Sequence, residues 1–138
     1  RITQMLKACP VETVNAEKFE AMVSLGLANT RLKDFYDLRC IAHTFELQHA
    51  DVSTAIQNTF ARRQAIMLDG MPAGLTEAFV ASRAQSWRAF FAQNATPVVP
   101  TEVAEVVVGL RTFLLPLTTQ ADVRQWRQGA WQAAVSRR

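Results

Sequence analysis

The chain has 138 residues, 49% hydrophobic and 20% charged, with five Gly and five Pro. That balance excludes a disordered or collagen-like chain and leaves enough apolar surface for one core, so a single helical domain over 1–138 is expected. The net charge of +3, from 15 Lys and Arg against 12 Asp and Glu, is too small and too evenly spread to imply nucleic-acid or membrane binding by itself.

Cys9 and Cys40 lie far apart with no C-x-x-C and no neighbouring His pair. Free thiols in a reducing, cytoplasmic setting are expected rather than a zinc site or a disulfide framework. No charged segment leads into an apolar one as a secretory signal would. The most apolar run, Val103 to Leu117, is interrupted by Glu105, Arg111 and Pro116 and falls short of the ~20 residues that span a bilayer. The first residue is Arg1 rather than Met, which raises the expectation of a further piece upstream.

Apolar residues recur at spacings of three and four throughout, so the fold class is all-α, a bundle of five or six helices. The spacing predicts a first helix from Pro10, a residue suited to a first turn, to about Asn29, with Gly26 and Asn29 as stop signals. Thr30 is placed to cap a second helix running to Leu47. Asp51 or Ser53 opens a third, in which Val52, Ile56 and Phe60 share a stripe and Arg62 and Arg63 lie near the end. The D-G-M-P-A-G-L segment from Asp69 to Leu75 reads as a loop. Thr76 caps a fourth helix with Phe79, Val80, Arg83, Trp87, Phe90 and Phe91 at helical spacing. Pro97 and Pro100 bracket a break, Thr101 caps a fifth helix to about Leu115, and Pro116 ends it. From Asp122 the Arg-, Gln- and Ala-rich tail with Trp126 and Trp131 is expected to form a short sixth helix or an irregular wrap.

Two of these helices carry charge on the wrong face. At ~100° per residue, Val11, Val14, Ala21, Met22 and Leu25 of the first helix form one stripe, while Thr13, Glu17, Glu20 and Ser24 cluster on the other side. Lys18 falls at about 340° from Val11, in the middle of the apolar stripe. On the second helix Asp34 lies inside the stripe of Phe35, Leu38, Ile41, Ala42 and Phe45, and Asp37 stands at its edge one turn on. A buried, unpaired ammonium is expensive, so a partner must meet it. Either Lys18 and Asp34 form a buried salt bridge pinning two helices, or cation and carboxylates line a phosphate and metal site, as phosphoryl and nucleotidyl transfer require, or the charges form a solvated cluster.

The stretch V-E-T-V-N-A-E-K-F-E-A-M-V-S-L-G-L-A-N-T-R-L-K-D-F-Y-D-L, Val11 to Leu38, closely resembles the later motifs of the AbiEii/AbiGii family of nucleotidyltransferases, toxins of type IV toxin-antitoxin and phage-abortive systems. A-I-Q-N-T-F-A-R-R at Ala55 to Arg63, W-R-A-F at Trp87 to Phe90 and F-L-L-P-L at Phe113 to Leu117 are similar to it too, whereas the tail W-R-Q-G-A-W departs from the family's Trp- and Gly-rich ending. The resemblance implies the helical C-terminal half of a polymerase-β-like nucleotidyltransferase that uses a nucleoside triphosphate and Mg²⁺ to transfer a nucleotide, in some members to tRNA. It implies that Lys18, in A-E-K, contacts the triphosphate. Asp34 and Asp37 match K-D-x-x-D, one of them, with Asp34 as the metal candidate, assisting the metal site or the base that activates the acceptor hydroxyl. Arg31 and Lys33 of the same motif are weaker candidates for phosphate contacts.

The family's first motif, G-S followed by D-x-D, supplies the principal metal carboxylates, and neither occurs in these residues. Two-metal displacement cannot be assembled without them, so this chain alone is expected to be inactive and completed by an N-terminal half or another chain. The rival reading is a non-catalytic helical module that binds a cognate antitoxin or RNA. Binding to DNA is not expected, since no helix-turn-helix with a polar recognition helix stands out, nor is binding to a membrane. His43 and His49 are expected at surfaces or helix ends, and no serine has a G-x-S-x-G context. Trp87, Phe90 and Phe91 read as core, while Arg62, Arg63, Arg83 and Arg88 are either a shared basic face or scattered solvated charges.

Overall fold

The computed structural model describes residues 8–67, 70–119 and 122–133. Helix α1 spans Val11–Leu25, and the Pro10 carbonyl accepts from the N–H groups of Thr13 and Val14 at 3.1 Å each. The proline costs this first turn nothing, because its missing N–H would have had no partner there. The helix stops earlier than Asn29. Gly26, at φ +58°, ψ −143°, adopts a backbone conformation that a side chain would strain, and the chain continues as a 3₁₀ turn, Gly26–Ala28.

Helix α2 spans Leu32–Thr44, and its start is set by Asn29, whose Oδ1 accepts the Arg31 N–H at 2.7 Å, rather than by a Thr30 cap. It ends three residues short of Leu47, because Leu47–Gln48 is extended as strand β1. Helix α3, His49–Arg62, follows directly and so opens before Asp51. Leu68 and Asp69 lie outside the described residues, and the rest of the predicted loop ends in the 3₁₀ turn Ala73–Leu75. Helix α4 spans Glu77–Gln93 and carries the predicted cap, Thr76 Oγ1 accepting from Phe79 N. Helix α5 spans Val103–Leu114 behind an uncapped Glu102, so Thr101 is not its cap, and Pro116 sits in the 3₁₀ turn Leu115–Leu117.

The architecture is the expected helical bundle, with five helices among the described residues and one small addition. The tail is neither a helix nor an irregular wrap: Val123–Arg127 (β2) and Ala130–Ala133 (β3) form an antiparallel hairpin, and β1 pairs with β2 to complete a sheet of order β1-β2-β3. Gln128 and Gly129, at φ +53° and +76°, make the reversal, a two-residue turn whose left-handed backbone matches strand twist. The pairing puts Trp126 opposite Trp131 on the inner face. Helical propensity of Arg, Gln and Ala lost here to the cross-strand pair of tryptophans and the Q-G turn.

Helix α1 packs against α2 and α3, and α5 against α2 and α4. Phe19 meets Phe60 across the first interface with ring centroids 5.9 Å apart, and Phe35 stacks on Phe79 at 4.9 Å to join α2 to α4. Trp87 is fully buried, whereas Phe90 and Phe91 only pack against the core. The Ala73–Leu75 turn is pressed so closely onto this core that a Cβ at Gly74 would come within 2.9 Å of Met22 Cγ. The hairpin is fastened by its indoles: Trp126 Nε1 donates to Ala42 O at 2.6 Å and Trp131 Nε1 to Phe113 O at 2.9 Å. No helix among the described residues is long and apolar enough to cross a membrane.

Removing the α4 cap in Thr76→Ala should lower the unfolding free energy by about 1 kcal/mol, read from urea denaturation as a shifted midpoint with an unchanged slope.

Candidate functional site

Lys18 enters the core because it lies inside the apolar stripe of α1, where α2 brings carboxylates to meet it. Its Nζ lies 3.2 Å from Asp34 Oδ1 and 2.9 Å from Asp37 Oδ2. Lys18 is 5% exposed and each aspartate 1%. Asp34 and Asp37, one turn apart on α2, point to the same side, so one ammonium bridges both. The remaining negative charge is met from the surface, where the guanidinium of Arg31, 60% exposed, places Nε 3.1 Å from Asp34 Oδ2.

Two clefts open beside this triad. One, of about 340 Å³, is lined by Glu17, Lys18, Glu20, Ser24, Arg31 and Arg63 among others. The other, of about 680 Å³, is lined by Thr30, Arg31, Leu32, Lys33, Asp34 and Phe90. Arg31 belongs to both. Of the residues picked out in the sequence, the structure thus gathers Lys18, Asp34, Asp37 and Arg31 within direct contact, and sets Lys33, exposed, on the rim of the second cleft.

Three neighbours were not legible in the sequence. Glu20, placed by angle on the polar face, is 6% exposed because Ser24 Oγ donates to it and Arg63 Nε stands 3.4 Å away. Arg63 reaches the cleft from the far end of α3, and with Arg62 it also holds Glu17. Asn15, one turn before Lys18, is fully buried, and neither atom of its amide finds a hydrogen-bond partner among the described residues.

The other sequence candidates disperse. Arg62 and Arg63 pair with Glu17, Arg88 pairs with Glu102, and Arg83 donates to the carbonyls of Leu27 and Asn29, so these four are individually engaged and form no shared basic face. His43 is exposed in the last turn of α2, and His49 opens α3 with Nε2 2.6 Å from the Pro116 carbonyl oxygen. Both cysteines are free thiols. Burial, and then the charge of Asp37, push the Cys40 thiol up from its ordinary value.

The donor set was tested against a divalent cation. Among the described residues no three His, Cys, Asp or Glu side chains converge as a metal ion would need. Asp34, the expected metal ligand, has each oxygen facing a cation, Lys18 on one side and Arg31 on the other. As arranged, these residues do not fit Mg²⁺. Lys18, Arg31 and Arg63 reach one cleft, beside Glu17 and Glu20.

Removing one partner of a buried pair leaves uncompensated charge, so Lys18→Met should cost about 3–5 kcal/mol in urea unfolding, and adding Asp34→Leu with Asp37→Leu should recover most of it. On the same helix, Cys40 should be alkylated by iodoacetamide well after the exposed Cys9, as followed by mass spectrometry at mildly alkaline pH.

Residues 2–109 match the family described as Nucleotidyl transferase AbiEii toxin, Type IV TA system. The match takes in α1 to α4 and the whole of the Lys18 triad, and it ends before the F-L-L-P-L stretch and the terminal hairpin, so it covers less of the chain than the motif comparison implied. No curated protein and no solved structure matches the chain significantly. With well over half of its length matched, the chain belongs to the AbiEii family of nucleotidyl transferase toxins of type IV toxin-antitoxin systems.

Proposed function

We propose that this chain forms the helical, phosphate-binding part of a nucleotidyltransferase that moves a nucleotide from a nucleoside triphosphate to an RNA acceptor such as tRNA. The observation that carries the reading is Lys18, an ammonium held between two buried carboxylates at the wall of a cleft that Arg31 and Arg63 also line. Replacing a buried ion cluster by apolar residues of similar volume is often neutral or stabilising, so packing alone gives little reason to keep one. The unpartnered amide of Asn15 beside it adds to the case, because each unmet polar group costs ~1–3 kcal/mol until something satisfies it.

In this reading Asp34 and Asp37 position Lys18 as a contact for the triphosphate, and Arg31 and Lys33 extend the positive edge from one cleft to the next. Arg31, exposed and bound to one oxygen of Asp34, is free to exchange that carboxylate for a phosphate. Mg²⁺ supplies charge neutralisation of the reacting phosphates when bound. Its ligands come from the G-S and D-x-D motif that these residues lack, so the chain by itself is inactive and works with an N-terminal half or a second chain. A cognate antitoxin is the partner that the family supplies.

The test uses the complete protein, a labelled nucleoside triphosphate and total tRNA, with growth arrest on expression as a second readout. The Lys18→Met/Asp34→Leu/Asp37→Leu protein should fold and lose transfer by about 10²-fold or more. Lys33→Ala, exposed and outside the ion cluster, should raise KM for the triphosphate with little change in stability, whereas Arg31→Ala should raise KM and also lower stability by taking the counter-charge from Asp34 Oδ2. A folded triple variant that still transfers nucleotide makes the triad structural. An intact wild-type protein that binds antitoxin or RNA but no triphosphate leaves the non-catalytic module as the answer.

A further inference from the structure

Contrary to the even spread expected from the overall count, the net charge of the chain is concentrated at one end. Residues 1–121 carry eleven Lys and Arg against eleven Asp and Glu, so they are neutral overall, while the last seventeen carry four arginines against the single carboxylate of Asp122. The whole excess of +3 therefore lies in the terminal hairpin and the residues after it.

The arginines also divide by what they do. Among the described residues, Arg31, Arg62, Arg63 and Arg88 are ion-paired, and Arg39, Arg83 and Arg111 donate to the backbone carbonyls of Val98, of Leu27 and Asn29, and of Leu75. Arg124 and Arg127 are exposed, and no carboxylate or carbonyl among the described residues meets either guanidinium. The two uncommitted guanidinium groups thus share one strand, β2.

The strand presents them to solvent by register. Trp126 and Trp131 pair on the inner face, so their neighbours Gln125, Arg127 and Gln132 project from the outer one. Between Val123 and Gln125 the pairing advances two residues on β2 against one on β3, which leaves Arg124 as the extra residue of a bulge, a device that re-aims a side chain. The platform is rigid, because the indole N–H groups of both tryptophans are bonded to the helical body. None of the exposed large apolar residues, Leu25, Leu27, Ile66, Met71 and Val108, lies on the hairpin, so nothing there would enter a bilayer.

We propose that the outer face of the β2–β3 hairpin is an RNA-binding surface, with Arg124 and Arg127 on phosphates and Gln125 and Gln132 offering amides beside them. Guanidinium groups without an internal partner keep their full donor set for phosphate oxygens, and a polyanion releases counterions when they bind. The hairpin lies beyond the matched family residues, and the inference takes from the preceding reading only that the acceptor is RNA.

The experiment is a fluorescence-anisotropy titration of the complete protein with labelled tRNA transcript, duplex DNA and phosphatidylserine vesicles over a series of KCl concentrations. Arg124→Gln/Arg127→Gln should weaken tRNA binding about tenfold at about 0.1 M KCl and reduce the slope of log K against log salt by about 1.4 to 1.8, the release expected for two phosphates. Arg62→Gln/Arg88→Gln removes the same charge from ion-paired positions and should leave that slope unchanged. An equal loss in both pairs, no tRNA binding by the wild type, or tighter binding to duplex DNA or vesicles overturns the proposal. ATP binding, titrated separately, should be unaffected in the hairpin variant. A protein that binds tRNA through the hairpin but no triphosphate overturns the transfer reading and leaves this surface standing.

Discussion

The ammonium of Lys18 is closed between Asp34 and Asp37 in the first interface of the bundle, and the relative position of α1 and α2 depends on it. Three charged groups this deeply buried tolerate little displacement, since each would then face the protein interior without its counter-charge. The packing around them is correspondingly fixed. Phe19 follows Lys18 and meets Phe60 of α3, and Phe35 follows Asp34 and stacks on Phe79 of α4. A helix that buries a charge at one position thus anchors a ring at the next, and the ion cluster is braced by aromatic contacts on both sides.

The charge balance of that cluster connects the core to the surface. One lysine does not neutralise two aspartates, and the second oxygen of Asp34 is met by Arg31, a side chain mostly in solvent. Arg31 lines both clefts, so the interaction that completes the buried cluster is also the one most open to competition from an anion. In the proposed reading, stability and binding meet at this guanidinium, and a phosphate would be answered without rearranging the buried part of the cluster.

Arginine serves two structural purposes among the described residues, and the structure separates them. Some arginines close surface ion pairs, as Arg62 and Arg63 do with Glu17 and Arg88 does with Glu102. Others act as donors to backbone carbonyls at chain reversals: Arg83 secures the Gly26–Asn29 turn and Arg111 the Ala73–Leu75 turn. This second use explains how a mostly helical chain with few side-chain caps satisfies carbonyls left over where helices end. Arg124 and Arg127 belong to neither group, and they stand on an element that tryptophans clamp to α2 and α5.

The sequence by itself determined the helical class, all five helix positions to within a few residues, the Thr76 cap, and the burial of Lys18 and Asp34. All of these follow from local periodicity and local hydrogen bonding, which neighbouring residues decide. Tertiary structure decided the rest. Leu47 became a strand residue rather than a helix end, because β2 was there to pair with it from the far end of the chain. The tail turned into a hairpin because its tryptophans had carbonyls on two helices to bond to. Lys18 took two aspartates rather than one, and Glu20 left the polar face when Arg63 arrived beside it. Which opposite charge a buried group meets depends on elements distant in sequence, and periodicity along one helix carries no information about what packs against it.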